Sequence, residues 1–181
     1  MKILIISQYF WPENFRINEV VKFLKLSGHD VEVLTGEPNY PKGEIFKNYL
    51  SEPDKYKEYF GAKVYRLNAR PRKKGSKLDL FINYSSFLYK SIYFSLRKLR
   101  KKNYDVIFTF GTSPVTTSIT SIILSKFTGS KTAIWVLDLW PDIVFELNII
   151  KNKFLKKQFT SLMESIYKKT DLILAQSLKF K

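Results

Sequence analysis

Residues 1–20 read MKILIISQYFWPENFRINEV. Lys2–Ser7 is an almost unbroken apolar run, the pattern of a strand covered on both faces. Ile17, Val20, Val21 and Leu24 then recur at helical spacing, and Gly28 stands where a glycine stops a helix. A strand feeding a helix in this way opens a βα unit. The turn between them holds Tyr9, Phe10, Trp11 and Pro12 and no glycine. A dinucleotide-binding turn of the G-x-G-x-x-G kind is therefore excluded.

The same alternation runs on. DVEVLT, AKVYRLN, YDVIFTF, KTAIWVLD and DLILAQS read as five further strands. Residues 36–60, with Gly36, Pro38, Pro41, Gly43 and Pro53, read as loop. A long helix is expected over 78–102, another from the Ser113-Pro114 cap to Gly129, a short one after Trp140-Pro141 and one over 153–168. The expected fold is α/β: a Rossmann-like, doubly wound parallel sheet with helices on both faces, in one domain over 1–181.

Composition narrows the function classes. There is no cysteine and one histidine, His29, so neither a disulfide framework nor a zinc site is expected. No metal or cofactor is expected from these residues. The first residues are too short an apolar run for a signal peptide, and no stretch is long enough to span a bilayer. The default compartment is the cytoplasm. The balance of 31 basic to 16 acidic residues gives a net charge of +15, a field that attracts anionic lipid, phosphorylated substrates or nucleic acid. No nucleic-acid-binding motif accompanies it, so that reading ranks low.

Ligands of such sheets bind beyond the carboxyl ends of the strands. Three turns there carry candidates. In the first, Trp11 offers a stacking face, and Asn14, Arg16 and Asn18 offer polar contacts. In GTSPVTT, Thr112 and Ser113 sit at a helix start that suits a phosphate or sugar hydroxyl, or serves only as a cap. In VLDLWPD, Asp138 stands at a buried strand end, a costly place for an idle charge. Trp140 is either a second stacking wall or rim packing, and Asp142 suits its helix dipole.

QYFWPENFRINEV, GEPNYPKGEI, GTSPVTT and WVLDLWPD, in this order, resemble the N-terminal half of family-4 glycosyltransferases of the GT-B fold, the bacterial enzymes of capsule, O-antigen and exopolysaccharide synthesis. The resemblance spans essentially the whole chain. It implies a retaining transferase whose N-terminal domain binds the acceptor, often a lipid-linked diphosphate sugar. The nucleotide-sugar donor binds mainly to a C-terminal domain that this chain lacks. Asp138 falls where many members carry a histidine facing the reacting sugar, which makes it the candidate catalytic residue. The aromatic first turn departs from the glycine-rich turn of many members, and suits an acceptor sugar's face. The alternative is a non-catalytic, membrane-docking subunit of a split transferase.

At about 100° per residue, Phe81, Leu88, Ile92 and Leu99 share one face of the long helix, the expected core stripe. Leu80, Phe87 and Phe94 form a second stripe about a third of a turn away. With Arg97 and the preceding Arg72, Lys73 and Lys74, they are expected to meet an anionic membrane at the inner face of the cell membrane, each basic residue adding about 1 kcal/mol.

Overall fold

A computed structural model describes residues 1–73, 75–112, 115–138, 140–146 and 150–177. The chain runs β1 (Lys2–Ile6), α1 (Arg16–Leu26), β2 (Asp30–Gly36), α2 (Lys47–Ser51), β3 (Glu58–Tyr59), β4 (Ala62–Leu67) and α3 (Lys77–Phe94). It continues through β5 (Val106–Gly111), α4 (Ser118–Thr128), β6 (Lys131–Val136), α5 (Asp142–Glu146), α6 (Lys153–Lys168) and β7 (Leu172–Ala175).

The seven strands form one sheet in the order β3-β4-β2-β1-β5-β6-β7. Every neighbouring pair is parallel except the two-residue hairpin partner β3. The six parallel strands, counted in chain order, thus run 3-2-1-4-5-6, and the order reverses between β1 and β5. A crevice opens at such a switch point, beyond the carboxyl ends of both strands.

Strand alternation sends side chains to two cores. Ile3, Ile5, Val31, Val33 and Val64 meet Ile17 and Val21 of α1 on one face. Leu4, Ile6, Leu34 and Ile107 meet Phe87, Leu99 and Leu124 on the other. A third cluster joins β6 to α4 and α6 through Ile134, Val136, Ile122, Met163 and Ile166.

The expected α/β architecture, all six parallel strands and the main helices are observed. Gly28 and Gly129 take φ of 82° and 69° at helix ends, where other residues are strained. Three expectations change. Residues 36–60 are not plain loop, because α2, a 3₁₀ turn at Pro53–Tyr56 and β3 lie within them. The long helix is α-helical only to Phe94 and continues as a π-helical turn over Ser95–Leu99. The Ser113-Pro114 cap lies outside the described residues, and α4 is entered through a 3₁₀ turn at Val115–Thr117.

The largest correction is the face of α3. Its buried positions are Asn83, Phe87 and Ser91, followed by Ser95 and Leu99 in the π turn. Phe87 is 0% exposed, at the centre of the second core, whereas Phe81 is 68% exposed. Phe94 is half-buried against Tyr65, ring centroids 5.3 Å apart. Phe87 and Phe94 are therefore not membrane-facing, and Phe81 is not core. The reason is close packing on α4. Ser91 shares a hydroxyl–hydroxyl hydrogen bond of 2.7 Å with Thr120. Small polar residues let the two helices approach, so the buried stripe is not the most apolar one.

Candidate functional site

The carboxyl edge is assembled by buried polar side chains. Glu13 reaches from the first turn and accepts from the backbone N–H groups of Phe10, Asn39 and Tyr40 at 3.1, 2.8 and 2.7 Å. Burial raises its pKa, and the three N–H donors and the nearby Arg66 oppose that rise. Arg66, on β4, donates to the carbonyls of Gly36 (3.1 Å) and Trp11. Burial lowers its pKa to about 10, so the guanidinium stays charged near neutrality. One acid and one base thus fix the β1 turn to the loop after β2 and to β4.

A second network joins these loops to α3. Gln8 donates from Nε2 to Asn83 Oδ1 at 2.6 Å, and Asn83 donates from Nδ2 to the Arg70 carbonyl at 2.5 Å. Gln8 Oε1 is buried with no partner among the described residues. Asn39 Oδ1 accepts from the Arg72 backbone N–H at 3.2 Å, and the Arg72 guanidinium lies over the Tyr40 ring, 5.2 Å from its centroid. Gly43 is obligatory in this contact: its φ is +76°, and a Cβ would lie 1.8 Å from the Lys73 carbonyl oxygen.

The aromatic turn packs inward. Tyr9 and Phe10 are buried. Tyr9 stacks on Phe15 at 5.3 Å, and Phe10 meets Tyr59 edge-on. Trp11 is half-buried against Tyr56 and Tyr59 at 4.9 and 5.3 Å. These two ring contacts take up part of the expected stacking platform. Asn18 is corrected as well. It accepts from the Trp11 N–H at 3.0 Å and donates to the Glu13 carbonyl at 2.7 Å, so its amide braces the turn. Asn14 and Arg16 are exposed on the same turn. Trp140 is half-buried, with its ring 5.7 Å from Phe159 in the third core and its indole N–H buried without a partner among the described residues.

Across the switch point, Thr112 and Asp138 are half-buried at the ends of β5 and β6. Gly111 is required there because a Cβ would lie 2.6 Å from the Trp135 carbonyl oxygen. Asp138 and Arg72 both act electrostatically on Tyr84 of α3. Burial and the Asp138 charge raise the Tyr84 pKa, while Arg72 lowers it, so the phenol keeps its proton and can donate. Asp138 and Arg72 thus both lie within electrostatic reach of Tyr84, and Thr112 stands at the adjoining strand end. Arg72 is half-buried, with its guanidinium over the Tyr40 ring. Lys73 is exposed, and Ser113 and Lys74 lie outside the described residues.

Sequence reasoning missed Tyr84, Asn83, Gln8 and Tyr40. Asn83 carried the one usable signal, an amide within the apolar run LFINYSSFLY.

No protein-family model matches the chain. It is 30% identical over 155 residues to the colanic acid biosynthesis glycosyl transferase WcaI of Escherichia coli (strain K12), covering 82% of this chain and 37% of that protein. The chain thus spans little more than a third of that relative. Among solved structures it matches CalG4, the calicheamicin glycosyltransferase, with a TM-score of 0.51 and 9% identity over 92% of this chain and 43% of that one. The chain is homologous to a glycosyltransferase, and its fold is that of a GT-B glycosyltransferase fragment.

Proposed function

We propose that the chain is the acceptor-binding half of a retaining glycosyltransferase. The enzyme moves a sugar from a nucleotide-sugar donor to a lipid-linked saccharide, at the inner face of the cell membrane, in surface polysaccharide synthesis. The likeness to a colanic acid transferase over 82% of the chain carries this reading. A donor-binding domain beyond this chain completes the site. No helix among the described residues is long and apolar enough to cross a membrane.

The geometry supports distinct roles. Arg72 provides a cation, held over Tyr40, for the acceptor's diphosphate. Asp138 receives hydroxyls of the reacting sugar, and protonated Tyr84 donates beside it.

The test is calorimetric titration of the chain with a short-chain prenyl-diphosphate sugar. Arg72→Ser is expected to weaken binding roughly tenfold to a hundredfold, the contribution of a charge-assisted hydrogen bond. In the complete enzyme, Asp138→Asn is expected to lower kcat by about a hundredfold. Acceptor binding that ignores Arg72→Ser, together with an unchanged kcat/KM in Asp138→Asn, would overturn the assignment.

A further inference from the structure

The outward face of α3 carries large apolar and aromatic side chains near both ends, interrupted at its centre by the exposed Ser85. Leu78, Phe81, Tyr89 and Tyr93 are 67%, 68%, 71% and 55% exposed. At a rise of about 1.5 Å per residue they line a strip about 22 Å long. A surface helix ordinarily turns its polar residues outward. Here the hydroxyl and amide groups of Asn83, Ser91 and Ser95 are inside, and large rings face solvent.

The charge flanking the strip is mostly basic, with Asp79 at the helix start the one acidic residue on α3. No acidic residue occurs between Asp79 and Asp105. Arg97, Lys98, Arg100 and Lys101 are exposed just beyond the C-terminal end of α3, and Arg70 and Lys73 are exposed ahead of its start. Arg97 donates to the Tyr93 hydroxyl at 3.1 Å, which ties a cation to the edge of the apolar strip. Asp79 is engaged at the helix start, where its carboxylate accepts from the Ser76 hydroxyl at 2.8 Å.

We propose that this face of α3 inserts shallowly into an anionic membrane surface, its rings among the upper acyl chains and the flanking arginines and lysines on lipid phosphates. Phenylalanine and leucine favour the acyl boundary, while tyrosine keeps its hydroxyl at headgroup level. Charge complementarity selects this occupant. Two copies paired antiparallel through α3 would set Arg97–Lys101 of one against Arg70 and Lys73 of the other, like charge on like. An anionic lipid surface satisfies both ends at once.

The proposal deepens the acceptor reading by naming the surface that brings the site to lipid. Asn83 and Tyr84 lie within a turn of Phe81 and join α3 to the carboxyl edge, so the N-terminal part of the inserted face lies nearest the candidate site.

The experiment is sedimentation of the chain with vesicles of phosphatidylcholine alone, or of equal parts phosphatidylcholine and phosphatidylglycerol. The chain is expected to bind the anionic vesicles and to bind the neutral ones poorly. Phe81→Ser with Tyr89→Ser is expected to weaken anionic binding by roughly tenfold or more, with the melting temperature unchanged. Arg97→Ser with Arg100→Ser is expected to weaken it most at low salt, where charge is least screened. The proposal fails if the Phe81/Tyr89 variant sediments like the parent. It also fails if neutral vesicles bind as tightly as anionic ones, or if the parent is a dimer that the Phe81/Tyr89 variant dissolves. Titration with the soluble short-chain acceptor separates the two readings, because acceptor binding that survives in a variant lost from vesicles supports both. A chain that binds vesicles but not the acceptor keeps the membrane face and removes the acceptor reading.

Discussion

Helices α1 and α3 both cover the same sheet, from opposite faces, yet the apolar repeat read from the sequence marks the buried side only in α1. In α1 the buried side follows the apolar repeat: Ile17 and Val21 are buried beside Asn18, and Val20 and Leu24 pack at the margin, while Phe23 and Leu26 face water with Glu19 and Lys22. In α3 the exposed side carries Leu78, Phe81, Tyr89 and Tyr93, while Asn83, Ser91 and Ser95 are inside. The difference lies in what each helix meets. The α1 helix lies on an apolar sheet face closed by Phe10. The α3 helix lies against a neighbouring helix with its own inward hydroxyls, and against the amide of Gln8. Apolar periodicity therefore locates the core only where the partner surface is apolar.

The largest expected effect tests that inversion directly. Phe87→Ala should destabilise the chain by about 3–5 kcal/mol, the cost of a large cavity in a closed core. Phe81→Ala, the same change one face away, should stay within about 0.5 kcal/mol. Urea unfolding of both variants measures the contrast, and equal losses would return Phe81 to the core.

An intermediate effect concerns what pins the end of the helix. Lys102, just past the π turn, contacts both Glu32 carboxylate oxygens at 2.6 and 2.8 Å and donates to the Tyr65 hydroxyl at 2.7 Å. Burial pushes the Glu32 pKa up, but Lys102 and the Tyr104 hydroxyl more than offset it, and the net direction is down. A carboxyl depressed by folding adds stability above its ordinary value, near 4.5, and loses it as the pH falls through the lower folded value. Lys102→Met should cost about 1–2 kcal/mol at neutral pH, the partial exposure of the lysine keeping the figure small. The gap between variant and parent should narrow as the pH falls below 4.5. A gap independent of pH would mean that the lysine acts by packing alone.

The smallest effect sharpens the reading of the inward hydroxyls. Ser91→Ala removes one partner of the Thr120 hydroxyl bond and should cost about 1 kcal/mol. A gain in stability on unfolding by urea would show that the close approach of α3 and α4 needs small residues but not their hydroxyls.

The sequence by itself determined the architecture. Strand-length apolar runs and helical repeats are local signals, and a parallel sheet buried on both faces needs nothing more to be recognised. It also placed Thr112 and Asp138 at strand ends, because strand boundaries are local too. The tertiary structure alone decided the rest. It brought Arg72 and Asp138, from separate segments, within electrostatic reach of Tyr84. It turned Tyr9, Phe10 and Trp11 inward against Phe15, Tyr56 and Tyr59. It reversed α3. Each of these depends on which surface a side chain meets after crossovers bring distant segments together, and residue spacing within one segment carries no record of that partner.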